Sequence, residues 1–131
     1  MRVLGTLSCL FLPIVCHDLG TQPEPPKDSI VTLSYGESAI AGSLSLTFVD
    51  VEEDSRCPAG AVCIWEGNAR IVVRLARDDK QILADFNSTV GARVVTFEGY
   101  TIELKDVAPY PTVDSQIDKQ QYIVRLKVRN S

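Results

Sequence analysis

Residues 68–79 read Asn68-Ala69-Arg70-Ile71-Val72-Val73-Arg74-Leu75-Ala76-Arg77-Asp78-Asp79. Apolar side chains stand at every second position from Ala69 to Leu75, which is the period of a β-strand with one buried face. The Asp78-Asp79 pair then turns the chain into a second alternating stretch at 81–86. This pattern predicts a β-hairpin.

The same alternation continues on both sides of this hairpin. It predicts further strands at 30–35, 43–51, 93–97, 100–107 and 121–128. Short strands separated by turn signals are typical of an antiparallel sandwich or a small barrel. We therefore predict an all-β fold, an antiparallel immunoglobulin-like β-sandwich of about seven to eight strands, with a small β-barrel as the alternative.

Composition limits the classes of function. The 131 residues are 45% hydrophobic and 23% charged, which suits one soluble domain. The net charge is −4, and the basic residues are scattered singly along the strands. A nucleic-acid-binding protein needs a basic stripe to neutralise phosphates, so we expect no nucleic-acid partner.

The first 16 residues resemble a targeting leader. Val3 to Val15 is an apolar run. It is shorter than the roughly 20 residues that span a bilayer, so it indicates the hydrophobic region of a signal peptide. Cys16 follows it as a candidate lipidation site, although Val15 stands where a small residue is expected. We predict membrane attachment through a lipid on Cys16; ordinary secretion or a retained anchor are the alternatives.

Residues 17–29 form a predicted flexible linker. They contain three prolines and almost no apolar residues, so they cannot bury enough surface to fold. The folded domain is then predicted to cover residues 30–131. The expected location is the bacterial cell envelope, with lipid anchorage on the periplasmic side or the outer surface, or secretion.

Only two cysteines, Cys57 and Cys63, fall within the predicted domain. An exported protein with a single thiol pair is expected to oxidise it, so we predict a disulfide that closes a short loop. The spacing is not Cys-x-x-Cys, and the chain's one histidine, His17, lies in the predicted linker. A zinc site or a redox-active pair is therefore a less favoured interpretation of these cysteines than a structural disulfide.

One stretch carries a resemblance to a known group. Asp54-Ser55-Arg56-Cys57-Pro58, followed by Cys63-Ile64-Trp65-Glu66-Gly67, is similar to a motif of small uncharacterised bacterial secreted proteins and lipoproteins. The resemblance covers about residues 29–130. It implies an exported β-domain and carries over no activity and no catalytic residue.

No catalytic residue or cofactor is predicted. Histidine-based catalysis is excluded within the domain, and no glycine-rich phosphate loop is present. The alternating acids Asp50, Glu52 and Asp54 are a weak Ca²⁺ candidate, since calcium prefers oxygen ligands. A solvated charged loop is the competing reading.

We expect a non-enzymatic binding or structural module that acts on an unknown protein or envelope component and is monomeric. Trp65 is predicted to pack inward on the disulfide, with an exposed contact residue as the alternative. A peptidase inhibitor acting through exposed loops is the second hypothesis, and an enzyme using only carboxylates is the third. The candidate binding residues are Arg56, Pro58, Trp65, Glu66, Pro109, Tyr110 and Pro111.

Overall fold

The structure is a computed structural model that describes residues 28–130. The predicted leader, Cys16 and most of the predicted linker lie outside the described residues. The first strand begins at Asp28, two residues before the predicted start of the domain.

Eight strands form two antiparallel four-stranded sheets, which confirms the all-β sandwich. The first sheet has the order β1 (Asp28–Ser34), β8 (Ile123–Asn130), β7 (Tyr100–Ala108), β6 (Val94–Phe97). The second has the order β2 (Ser38–Ala41), β3 (Leu44–Asp54), β4 (Ala69–Arg77), β5 (Lys80–Asn87). No helix within residues 28–130 is long and apolar enough to cross a membrane.

The connections differ from those expected of an immunoglobulin-like sandwich. Strands β2 to β5 follow one another in sequence order across one sheet, and β6, β7 and β8 do so in the other, whereas the immunoglobulin fold uses Greek-key connections. The physical reason is that every second connection is a short turn, such as Asp78-Asp79 or Glu98-Gly99. A short turn keeps the two strands that it joins paired with each other. No ladder joins β1 to β2 or β5 to β6, so the fold is a sandwich and not a closed barrel.

Because successive strands alternate in direction, the connections divide between two ends of the sandwich. The base carries the tight turns 42–43, 78–79 and 98–99 together with the start of β1 and the end of β8. The apex carries three long connections: the disulfide loop (55–68), the bridging loop (88–93) and the proline loop (109–122). A short 3₁₀-helix, Lys119–Gln121, lies in the proline loop.

The core lies between the sheets and consists of the alternating residues that the sequence predicts. Fully buried side chains come from both sheets: Leu33, Leu44, Leu46, Phe48, Ile71, Val73, Leu75, Phe86, Ile102, Val124 and Leu126. Burying one such side chain contributes about 1.5–3 kcal/mol. Strand β2 was not predicted, because this edge strand has only four residues and its Ile40 points to solvent.

Candidate functional site

The disulfide loop is closed by a covalent bond and by the backbone. Cys57 and Cys63 form a disulfide, which confirms the predicted pair. The Cys57 amide donates to the Glu66 carbonyl at 2.9 Å, and the Ala61 amide donates to the Pro58 carbonyl at 3.0 Å. These cross-links hold the loop in one shape before any partner arrives.

Three apolar side chains of this loop face water. Val62 and Ile64 are fully exposed, and Trp65 is 81% exposed. The prediction that Trp65 packs inward is wrong, and the alternative of an exposed residue holds. The reason is its position: the core side of β4 begins at Ala69, so Trp65 lies beyond the ends of the sheets.

The proline loop is bound to the disulfide loop. The Ala59 amide donates to the Pro111 carbonyl at 2.9 Å, and the Val113 amide donates to the Ala59 carbonyl at 3.4 Å. A short parallel bridge also pairs Ala59 with Thr112. The two loops that the sequence marks as candidate binding segments therefore form one surface.

Arg56 fastens these loops to the sandwich. Its Nε and Nη2 donate to the two carboxylate oxygens of Asp54 at 2.8 Å each. Its Nη1 donates to the Val107 carbonyl at 2.6 Å, and Nη2 also donates to the Pro109 carbonyl at 2.9 Å. Since Arg56 is only 8% exposed, it positions the loops and offers little surface to a partner.

The surroundings of the Asp54–Arg56 pair favour the charged form of both side chains. Burial raises the pKa of Asp54, but hydrogen bonds from Arg56 and Tyr122 outweigh it, so the pKa lies below its ordinary value. The Tyr122 hydroxyl donates to Asp54 Oδ2 at 2.7 Å. Burial and this hydrogen bond raise the pKa of Tyr122 to about 12. Near neutral pH the carboxylate is therefore ionised and the phenol is neutral.

Tyr110 lies beside this pair and partly covers it. The Arg56 guanidinium carbon stands 5.1 Å from the centroid of the Tyr110 ring, within the range of a cation–π interaction. The ring is still half exposed. Of the predicted binding residues, Tyr110, Trp65 and Glu66 offer exposed side chains. The carbonyls of Pro58, Pro109 and Pro111 accept hydrogen bonds that shape the loops.

Asn68 joins the bridging loop to the disulfide loop, and sequence reasoning missed it. Its Oδ1 accepts from the amides of Thr89 at 3.1 Å and Val90 at 3.3 Å, and its Nδ2 donates to Asn87 Oδ1 at 2.8 Å. The Thr89 hydroxyl also donates to the Gly67 carbonyl. The only signal in the sequence is a polar residue before a strand, which is common at strand starts and names no partner.

A groove opens between these two loops. Its volume is about 480 Å³, and its lining includes Trp65 and Val90, which are exposed apolar residues from separate loops. Glu53 and Glu66 also line it. Neither carboxylate forms an ion pair with a cation in the described part of the chain.

A smaller depression of about 190 Å³ lies on the other side of Glu66, near Tyr110 and Arg93. Arg93 donates to the carbonyls of Ser88 and Leu104. Its guanidinium is therefore already engaged in holding the bridging loop against β7.

The proposed Ca²⁺ ligands do not come together. Asp50 accepts from Lys119 at 2.9 Å, and this hydrogen bond is the main cause of its lowered pKa. Glu52 pairs with Arg70 at 2.8 Å, and Asp54 pairs with Arg56. Residues 28–130 contain no group of three His, Cys, Asp or Glu side chains that could hold a metal ion.

Comparison with protein-family models, with curated proteins and with solved structures finds no match to this chain.

Proposed function

We propose that this protein is a non-enzymatic binding module of the bacterial envelope or of the secreted fraction, and that its apex is the recognition surface. One observation carries the proposal: Val62, inside the ring closed by the Cys57–Cys63 disulfide, and Ile64 and Trp65, directly after it, are all exposed to water. Exposing adjacent large apolar side chains is unfavourable for an isolated domain. Contiguous patches of this kind mark interaction sites.

The rigidity of the apex supports the same proposal. A loop that is already ordered loses less conformational entropy on binding than a flexible one. The disulfide, the Ala59–Pro111 hydrogen bond and the Arg56 contacts all order the apex in advance. Trp65 is exposed, and tryptophan is among the residue types enriched at the hot spots of binding interfaces.

The direction of the chain fits a tethered module. Asp28 pairs with Arg129 at the base, so the polypeptide enters the domain at the end opposite the apex. A lipid on Cys16, joined to the domain by the predicted linker, would leave the apex facing away from the membrane. Cys16→Ser is expected to move the protein from the membrane fraction to the soluble fraction; retention in the membrane fraction would contradict lipid anchorage.

A peptidase inhibitor is the second candidate. It is favoured by the joining of the disulfide loop to the proline loop, because an inhibitor presents preformed loops to a protease cleft. The inhibitor hypothesis would be established if the protein inhibited a serine or cysteine peptidase and substitution of Val62 abolished that inhibition. The carboxylate-only enzyme gains no support, since Asp50 and Asp54 are each engaged with a cation.

Site-specific photo-cross-linking in intact cells tests the binding proposal. We would replace Ile64 with a photoreactive phenylalanine, and use Leu83 on β5, which is also an exposed apolar residue, as the matched control. A discrete adduct is expected at position 64 and not at position 83, and Trp65→Ala should weaken it. Equal adducts at both positions, or none at position 64, would refute a recognition site at the apex.

A further inference from the structure

We propose that the groove beside Trp65 binds a lysine or arginine side chain, flanked by apolar residues, of a partner polypeptide. This inference rests on the proposed function, since it names the chemistry of the partner that the apex recognises.

The size of the groove suits one long side chain and a short piece of backbone. Its volume of about 480 Å³ falls in the range of ligand pockets. Trp65 and Val90 offer apolar surface to the methylene stem of a lysine or arginine. The exposed indole also offers a face on which a cation is attracted to the ring electrons.

Two carboxylates that line this groove, those of Glu53 and Glu66, form no ion pair with a cation among residues 28–130. Asp50, Glu52 and Asp54 are each paired with a cation of the same chain. Glu53 receives a hydrogen bond only from the Ser55 hydroxyl, at 3.1 Å, and Glu66 contributes its carbonyl to the loop closure. A cationic side chain lying on Trp65 would meet both carboxylates, with charge-assisted hydrogen bonds.

The groove is braced before binding. Asn68 bonds the amides of Thr89 and Val90, so the bridging loop cannot move away from the disulfide loop without breaking them. Gly67 adopts a φ of +72° directly beside the Ser55 carbonyl, where a Cβ would lie only 1.8 Å from that oxygen. This close approach fixes the backbone between Glu66 and Asn68.

The same charges argue against other occupants. A bilayer surface that carries anionic lipids repels the carboxylates of Glu53 and Glu66. In a two-fold dimer the same patch meets itself, so these carboxylates would face each other. A basic and apolar segment of a different polypeptide is the occupant that satisfies both the apolar and the charged lining.

Nuclear magnetic resonance titration of the ¹⁵N-labelled full-length chain tests the proposal with three peptides. They are acetyl-Val-Arg-Val-amide, the same peptide with neutral citrulline for Arg, and the same peptide with Glu for Arg. The Arg peptide should give saturable shifts at the Trp65 indole and at the Gly67 and Val90 amides. The citrulline peptide should bind about 10-fold more weakly, because it lacks the charge.

Variants locate the binding. Glu66→Gln and Glu53→Gln should each weaken binding of the Arg peptide several-fold and reduce the difference from citrulline, while Trp65→Ala should weaken both peptides. Asp79→Asn removes an exposed carboxylate at the base and should leave binding unchanged.

Each contrary result has a definite meaning. Equal shifts with the Arg and Glu peptides, or no shifts at the groove, would overturn the proposal that the groove binds a cationic side chain. A cross-linked adduct at position 64 would, in that case, still support the apex as the recognition surface. Loss of both would overturn the proposed function as well. A Trp65-dependent dimer in sedimentation, or Trp65-dependent binding to phosphatidylcholine vesicles, would assign the groove to a second copy or to lipid and overturn the proposal.

Discussion

Replacing Arg56 with alanine is the sharpest test of how the apex is held to the sandwich. The substitution removes both hydrogen bonds to Asp54 and those to the carbonyls of Val107 and Pro109. The Asp54 carboxylate then remains in a site where only 11% of its side chain is exposed, without its cation. Tyr122 still donates to it.

The expected loss can be placed within narrow bounds. Removing one partner of a buried ion pair costs about 3–5 kcal/mol, because the other charge stays buried without compensation. The surviving Tyr122 hydrogen bond to Asp54 points to the lower part of this range. We therefore expect the free energy of unfolding of Arg56→Ala to fall by about 3 kcal/mol. For a domain of this size each 1 kcal/mol lowers the melting temperature by roughly 4–8 °C.

Urea denaturation followed by circular dichroism measures the loss by linear extrapolation. A double-mutant cycle with Asp54→Asn isolates the pair: the double variant should lose clearly less than the sum of the two single losses, with a coupling of about 1–3 kcal/mol. A loss below about 1 kcal/mol for Arg56→Ala, or strict additivity, would show that the ion pair does not fasten the apex.

Three further predictions concern other parts of the domain. Cys57→Ala with Cys63→Ala should lower the free energy of unfolding by about 2 kcal/mol while leaving the far-ultraviolet circular dichroism unchanged, because the closed loop is short; a loss of the sheet signal would contradict this. Gly67→Ala should lower the melting temperature and shift the amide resonances of the disulfide loop, since φ is +72° and the Cβ overlaps a carbonyl; an unshifted spectrum would refute the close approach. Hydrogen bonding to Arg129 lowers the pKa of Asp28 to about 2 from an ordinary 3.8, so Asp28 stabilises the fold above about pH 4 and loses that contribution as the pH falls towards 2. The pKa of Asp54 is lowered too, so its contribution also decreases as the pH falls. The urea midpoint of Asp28→Asn should fall less than that of the parent chain between pH 4 and 2, and parallel curves would refute this.

Strand content was predictable because burial follows a period of two. Ala69, Ile71, Val73 and Leu75 alternate in the sequence and all face the core. Val72 departs from the rule: it stands at an outward position of β4, yet only 6% of it is exposed. Alternation assigns a side chain to a face of the sheet and does not report what covers that face.

The candidate site was predictable in location but not in detail. The sequence indicates the disulfide and the two irregular loops, because covalent closure and the absence of alternation are local properties. The prediction that Trp65 packs inward was wrong. Whether a residue beyond the end of the sheet reaches the core depends on how the loop folds back, which the local sequence does not specify. Arg56 and Asn68 owe their roles to carbonyls and amides distant in the sequence, at Val107 and Val90.

The base of the sandwich has a consequence for how this architecture can be used. Asp28 and Asn130 belong to neighbouring antiparallel strands that end together there. Another domain, a bead or a cell surface can therefore be joined before Asp28 or after Asn130 from the same side. Exposed apical residues such as Val62, Ile64 and Trp65 can be exchanged with little disturbance of the ladders beneath, provided that Arg56, Gly67 and Asn68 are kept. The molecule has the layout of a display scaffold, with one face for attachment and the opposite face for diversification.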